Sequence, residues 1–439
     1  MKDTISRRTF LTLMGGAALS LAAGCAPQKT PAPVKRAVRA LTGDTSLDAR
    51  FLRQIVTKDS RASRTIMWQS DEPQENAEIV WRAMDDGKEP KKESEIFSAP
   101  AKSERYTDDG QNVWLHTAQL KNLSQGARYE YRVICGDEGT DWTPLRADGG
   151  GAFKALIFPD SQSSDYTDWK HLAQDAYKRN PDAAFFANLG DIVDNGEEHS
   201  QWDAWFDAVE GMRERIPFAP VMGNHETYDK KWEVRLPLAY LAEFQPPEND
   251  SQAFSRYYYS FDFGDVHFIV LNTQWDETEE FRPGLLEEQL GWLPKDVAAS
   301  DKKWKIVMLH KDVLQYRIGK RPERKEGFSA CGEAFMPLFD GLGIDAVLSA
   351  HLHTYRNRGH IKNFRRDEDG PLYILTGVAG NVRYPGLWID HALDEVVAPQ
   401  PETDNYLTLE ASGDALRFRC FLPDGTKIDD ATIWKYYAR

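Results

Sequence analysis

The sequence predicts a multidomain chain, an N-terminal all-β sandwich followed by an α/β domain. Three features predict it. Short, aromatic-bearing runs fill residues 46–149, long apolar runs recur from residue 152 onward, and Gly149-Gly150-Gly151 separates the two patterns.

The elements follow in chain order. Residues 1–24 carry Arg7-Arg8 within SRRTFL and an apolar run from Leu11 to Ala23, the pattern of a twin-arginine export signal. The run is too short and too rich in Gly and Ala for a membrane span. It closes on Ala22-Ala23-Gly24-Cys25, which resembles a lipoprotein cleavage box with Ala in the usual place of Leu. The expectation is a protein exported by the twin-arginine machinery to the periplasm or cell surface, touching the membrane only through a lipid on Cys25. Residues 25–45, rich in Pro, Lys and Arg, read as a tether. Twin-arginine export moves folded proteins, so it suits a chain that takes up its cofactor first.

In residues 46–149, RTIMWQS (64–70), AEIVWRA (77–83), NVWLHTAQL (112–120) and ARYEYRVIC (127–135) are strand-like and separated by turn residues. Their spacing predicts a sandwich of about seven short strands. LKNLSQGARYEYRV resembles a fibronectin type III corner, with Leu123 capping the core and Tyr129 and Tyr131 on the next strand.

From residue 152 to 439 the pattern changes. KALIFPD (154–160), AAFFANLGD (183–191), PFAPVMGNHE (217–226), VHFIVLNT (266–273), WKIVMLHKD (304–312), DAVLSAHLH (345–353) and LYILTGVAGN (372–381) read as strands buried on both faces. Trp169, Leu172, Ala173, Ala176 and Tyr177 form a helical apolar stripe, as do Trp202, Trp205, Phe206 and Val209. Tyr406–Glu410 and the alternating Leu416, Phe418, Cys420 and Leu422 predict a terminal antiparallel pair.

Charge narrows the function. Lys and Arg number 54 against 69 Asp and Glu, a formal −15, which disfavours nucleic acid and anionic lipid as partners. An anionic substrate then needs a local cationic centre. Once Cys25 is lipidated, Cys135, Cys331 and Cys420 remain. None lies in a C-x-x-C pair, which argues against a thiolate metal site, and three cysteines allow at most one disulfide.

Five apolar runs end in polar residues of one kind: Asp160-Ser161-Gln162, Gly190-Asp191-Ile192-Val193-Asp194, Gly223-Asn224-His225-Glu226, His310, and His351-Leu352-His353. Ligands in open α/β sheets bind beyond the carboxyl ends of strands, so these residues are expected to converge. Carboxylate, amide and imidazole donors suit hard to borderline divalent metals. About eight donors exceed one ion's needs and suit two ions about 3.5–4 Å apart, bridged by a carboxylate, for which Asp191 on its Gly-Asp turn is the natural choice. In an extended chain alternate residues point to one side, so His351 and His353 are each expected to reach a different ion.

In this order the five motifs resemble the calcineurin-like metallophosphoesterase family, and the preceding sandwich is similar to the N-terminal domain of purple acid phosphatases. The resemblance spans residues 160–353 and implies two mixed sheets flanked by helices. It also implies a dimetal hydrolase of phosphorylated small molecules, holding Mn, Fe, Zn or Mg and acting through a metal-bound hydroxide. By that resemblance one ion takes Asp160, Asp191, His353 and Gln162, and the other takes Asp191, Asn224, His310 and His351. His225 protonates the leaving oxygen, and Asp194 holds the His225 ring. Asn224 and His225 also face substrate.

Three positions depart from the pattern. Gln162 replaces the commoner His and favours harder ions, Asp194 stands where the purple enzymes place a tyrosine ligand, and Ala350 replaces the usual Gly. Tyr355, Arg356, Arg383 and Tyr384 are further candidates for substrate contact, the basic run RIGKRPERK (317–325) for the site entrance, and Trp275 for a wall. His171, His267 and His360 lie off the motifs and read as structural or exposed. Phosphomonoesters are the expected substrates. Phosphodiesters on the same metal core are the alternative, and a catalytically dead surface binding protein is the reading from another class.

Overall fold

A computed structural model of the chain describes residues 47–85, 89–90 and 96–435. The export signal, Cys25 and the tether lie outside the described residues. No helix among the described residues is long and apolar enough to cross a membrane.

Two large sheets organise the second region. One is ten-stranded. In spatial order its strands are Lys427–Trp434, Ala415–Phe421, Tyr406–Ala411, Phe153–Phe158, Phe185–Asn188, Phe218–Pro220, Arg50–Ile55, Arg64–Ser70, Gln111–Leu120 and Lys102–Asp108. The other is eight-stranded. Its path runs Tyr259–Phe263, Val266–Val270, Trp304–Met308, Ala346–Ser349, Leu372–Thr376, Tyr355–Lys362 and Arg365–Arg366, with Val396–Val397 on the Tyr355–Lys362 strand. Central strands of each are parallel and outer ones antiparallel, so both sheets are mixed. The Lys427–Trp434 strand extends the expected C-terminal pair to three.

The sheets face each other across a dry layer. Ala155, Ile157, Phe185 and Ala187 of the first pack in one cluster with Phe268, Ile306, Leu348 and Ile374 of the second, all fully buried. This double burial explains the unbroken apolar runs. Helices cover the outer faces. Thr167–Arg179 buries Trp169, Leu172, Ala173 and Ala176, and His199–Ala208 buries Trp202, Trp205 and Phe206. Trp205 meets Trp169, Phe206 and Phe218. Truncating such an indole to Ala costs about 3–5 kcal/mol. On the second sheet, Ala330–Leu342 buries Phe335, Met336 and Phe339.

The N-terminal sandwich has its own core of Trp68, Ile79, Leu120, Leu123, Tyr129, Tyr131 and Val133. The Ser124 N–H donates to the Tyr129 hydroxyl at 2.9 Å, which ties the corner to the strand after it. The sandwich is not separate in its sheets. Arg50–Ile55 lies parallel beside Phe218–Pro220, with Ile55 opposite Phe218. An open strand edge is a row of unpaired N–H and C=O groups, and here it is closed against the next domain. The Arg53–Glu243 ion pair at 2.9 Å and the Gln54 amide donating to Glu214 O at 2.7 Å lock the same seam. Cys135, Cys331 and Cys420 are free thiols.

Candidate metal centre

The ten-stranded sheet positions its donors through tight turns. Asp160 follows Phe153–Phe158 by two residues, and its carbonyl accepts from Ala379 N at 2.8 Å and Gly380 N at 3.1 Å. Asp191 leaves Phe185–Asn188 through Gly190, whose φ is +99°. A Cβ on Gly190 would lie 2.5 Å from His310 Nδ1, and one on Gly223 would lie 2.2 Å from Asp191 Oδ1. Only glycine fits at both positions. Asp191 itself has φ +47°, a strained value for a non-glycine residue.

Glu226 clamps these turns. Its buried carboxylate accepts from Gly223 N at 2.7 Å, Ile192 N at 2.8 Å, Asp191 N at 3.1 Å and Val193 N at 3.3 Å. Burial, and then the charge of Asp191, pushes the Glu226 carboxyl above the usual carboxylate range. Sequence reasoning gave Glu226 no role, although it closes the Gly-Asn-His-Glu motif. Gly223 lies within that motif, but the other three N–H partners lie 33 to 35 residues away, so nothing local announces them.

The eight-stranded sheet supplies the imidazoles. His310 Nε2 lies 3.1 Å from Asp191 Oδ2 and 3.2 Å from His351 Nδ1, and its Nδ1 meets Leu189 O at 2.9 Å. His353 Nε2 lies 3.5 Å from Asp160 Oδ1, with Nδ1 held by Val382 O at 2.6 Å. The expected extended geometry is corrected here. The strand ends at Ser349, and His351 and His353 have φ of +77° and +52°. They diverge because the backbone turns left-handed at each, not because alternate residues share a face. The His351 N–H donates to both Asp160 oxygens, at 2.9 and 3.1 Å, and fixes that turn.

The result is two overlapping donor sets, Asp160–Asp191–His353 and Asp191–His310–His351, each with ligand atoms within 4.8 Å of one another. Asp191 belongs to both. Asn224 Oδ1 joins the second at 3.1 Å from His310 Nε2. Gln162 is 1% exposed, and its amide oxygen has no hydrogen-bond partner. The Gln162 main-chain N–H donates to Asp191 O at 2.9 Å. Asp160 and Asp191 are 0% and 1% exposed, yet among the described residues no Lys or Arg pairs with either. Burial opposes ionisation of Asp191, but His310 and His225 hold its carboxyl well below the usual range. Burial and then His310 push His351 far below an ordinary imidazole, so it stays neutral and able to ligate. Buried carboxylates without a Lys or Arg counter-ion, a neutral imidazole and an orphaned amide oxygen fit two metal ions.

Above the donors lies a cavity of about 450 Å³. Asp191, Asn224, His225, His351 and His353 line it, together with Ile318, Lys320, Arg321, Arg324, Leu352, Tyr384, Leu387 and Trp388. The basic run thus reaches the site. His225 Nδ1 donates to the Asp194 main-chain carbonyl at 2.6 Å, while the Asp194 carboxylate stands 3.6 Å away. The expectation that the Asp194 side chain holds the ring is corrected in this respect: the carbonyl makes the shorter contact, since the turn carries the backbone beneath the ring.

Other expected contacts lie elsewhere. Tyr355 is buried between the sheets and donates to Asp429 Oδ2 at 2.6 Å. Arg356 is buried with Glu402 at 3.0 Å and Asp394 at 3.6 Å. Arg383 pairs with Asp404 and Asp168. Neither arginine lines the cavity, because the chain re-enters the sheet after Thr354 and nearby carboxylates take both guanidinium groups. Tyr384 does line it, its ring 4.9 Å from that of His353. Trp275 packs on Phe335 away from the site. His171 is exposed, His267 bonds Asp262 and Asp296, and His360 meets Gly370 O.

Comparison with known proteins agrees with this geometry. Residues 133–355, more than half of the chain, match the calcineurin-like phosphoesterase family, and residues 52–147 match the purple acid phosphatase N-terminal domain. Purple acid phosphatase 15 of Arabidopsis thaliana is 30% identical over 208 residues, 46% of this chain and 36% of that protein. Purple acid phosphatase 22 of the same plant is 27% identical over 271 residues, 61% of this chain and 59% of that protein. The match thus spans less than two thirds of either relative. The solved purple acid phosphatase PPD1 from yellow lupin (Lupinus luteus) shares the fold with a TM-score of 0.70 at 18% identity, covering 89% of this chain and 75% of that one. A solved PhoD structure reaches 0.61 at 12% identity, covering 89% and 91%.

Proposed function

We propose a reaction from one premise: the chain belongs to the calcineurin-like phosphoesterase family. The reaction is hydrolysis of phosphate monoesters at a two-metal site, carried out by an exported protein. The observation that carries it is the pair of donor sets sharing Asp191 on the floor of an open cavity. When bound, the two ions supply positive charge for the phosphate oxygens and lower the pKa of water towards neutrality.

The chain's own residues do the rest. Asp160, Gln162, Asp191 and His353 would hold one ion, and Asp191, Asn224, His310 and His351 the other. The Asp194 carbonyl can only accept, so His225 Nδ1 carries a hydrogen and Nε2 is the atom left for substrate. A protonated His225 in the cavity wall donates that Nε2 proton to the departing alkoxide oxygen. Asp194 lies outside both donor sets, so an iron-loaded form is expected to lack a tyrosinate colour band from this position. Export rests on SRRTFL and the Ala-Ala-Gly-Cys box alone.

The test is metal analysis with paired aryl phosphate mono- and diesters across Mn, Fe, Zn and Mg loading. Monoester turnover that a chelator abolishes is expected. A metal-free, inactive protein sinks the reading, and faster diester turnover replaces monoesters with diesters.

A further inference from the structure

The run from residue 317 to 325 departs from the rest of the chain in charge. Arg317, Lys320, Arg321, Arg324 and Lys325 stand there against Glu323 alone, in a protein of formal charge −15. Two of these cations are committed. Arg317 Nε lies 3.6 Å from Glu326, and Arg324 donates to Tyr316 O at 2.9 Å with its guanidinium 5.5 Å from the Trp388 ring centre. Lys320 and Arg321 are exposed and line the cavity, and no side-chain hydrogen bond or ion pair holds either among the described residues.

The wall that carries them is ordered. Arg317 pairs with Ile389 and Ile318 with Trp388 in a two-stranded ribbon. Arg321 N donates to Ile318 O at 2.9 Å. The Trp388 indole donates to Leu352 O at 2.8 Å, which ties the ribbon to the residue between the two site histidines. A cavity of about 450 Å³ holds a small organic ligand, not merely one phosphate group. A phosphoryl group over Asp191, His351 and His353 is one anion, and Lys320 and Arg321 line the same cavity with no counter-ion among the described residues. Apart from the site residues, these two cations and Arg324, the lining is apolar or aromatic, from Ile318, Leu352, Tyr384, Leu387 and Trp388.

We propose that Lys320 and Arg321 form a second-anion subsite, so that the substrate is a phosphate ester whose alcohol part bears another phosphate or a carboxylate. This inference rests on the phosphoesterase reading above. The subsite touches a part of the substrate that does not react. It therefore tightens binding of ground state and transition state alike, and shows in affinity and KM rather than in kcat. Being exposed, it weakens with salt.

The test is calorimetric titration of the metal-loaded, full-length protein with propane-1,3-bisphosphonate and with propylphosphonate, neither of which is hydrolysed. At low salt the bisphosphonate is expected to bind about ten-fold tighter, a few-fold for each exposed cation. In Lys320→Ala/Arg321→Ala the ratio is expected to fall to about two, the statistical factor for two equal ends. Raising the salt on the unaltered protein is expected to lower the ratio too, a measurement free of any folding effect of the variant. A ratio near two in the unaltered protein, or one that survives the double substitution, overturns the subsite. Turnover of an aryl phosphate on the same preparation judges the reaction separately. Turnover with a ratio near two sinks the subsite alone, and a ratio of ten without turnover sinks the reaction and leaves an anion site.

Discussion

The two sheets bring different chemistry to one place. The ends of the ten-stranded sheet carry oxygen donors, Asp160, Gln162, Asp191 and Asn224. The ends of the eight-stranded sheet carry imidazoles, His310, His351 and His353. Their supports differ as well. The Asp191 and Asn224 turns rest on glycines and the Glu226 clamp, whereas His351 and His353 stand on left-handed backbone that Asp160 pins at His351. Each donor set takes members from both sheets. Neither metal position therefore exists until the sheets have packed, and the site reads out their register.

The largest break in this arrangement is Asp191→Asn, which removes the only donor common to both sets. Loss of both ions and of measurable turnover is expected, with the far-ultraviolet circular dichroism of the fold kept. Metal analysis checks it, and retention of two ions would show that Asp191 is no bridge. His225→Ala leaves both donor sets whole. Both ions are expected to stay while aryl phosphate turnover drops about 10²–10⁴-fold. Equal loss of metal and rate would move His225 into the ligand set.

A third experiment probes the eight-stranded sheet outside both donor sets. Burial works to lower the His267 imidazole, but Asp262 at 2.8 Å and Asp296 at 2.9 Å override it and raise it to about 8. The folded value lies above the unfolded one near 6.5, so the stabilisation is complete below about pH 6.5 and is lost as pH rises through 8. It amounts to about 2 kcal/mol. Urea midpoints at pH 6 and 8.5 are expected to show that fall in the unaltered protein and a smaller one in His267→Gln. Identical pH dependence in the two would remove the claim.

Gln162→His sharpens the contrast by placing a nitrogen donor on the oxygen side. Zinc affinity is expected to rise about ten-fold relative to magnesium. Competition titration reads this directly, and no change would put Gln162 outside the ligand set. The smallest effect belongs to Asp194→Ala. The ring of His225 is held by the Asp194 carbonyl, which alanine keeps. Turnover is expected to fall less than about five-fold, since a partly exposed carboxylate at 3.6 Å contributes little beside the carbonyl contact at 2.6 Å. A loss as large as that of His225→Ala would return the holding role to the side chain.

Much of this site was legible. Apolar runs ending in Asp, Asn or His announce both strands and donors, because burial on two faces erases polar residues until the chain leaves the sheet. What escaped depends on facing and on backbone angles. Tyr355 and Arg356 follow the histidine pair in sequence, yet the first lies between the sheets and the second among carboxylates. The left-handed turns at His351 and His353 could not be read, since histidine, though enriched there among non-glycine residues, adopts positive φ in only a small minority of its positions. Trp388 drew no notice because a lone tryptophan beyond the motifs looks like packing.

The sequence by itself determined the order of elements, the burial of the parallel strands and the identity of the donors. These follow from local patterning, turn chemistry and ligand type. Only the tertiary structure decided that Glu226 clamps two turns, that a carbonyl and not a carboxylate orients His225, that the sandwich shares a sheet with the second domain, and that Lys320 and Arg321 face the same cavity as the metal donors. Each of these is a contact between residues far apart in the chain. Such contacts are set by how the layers pack, and short-range pattern carries no record of them.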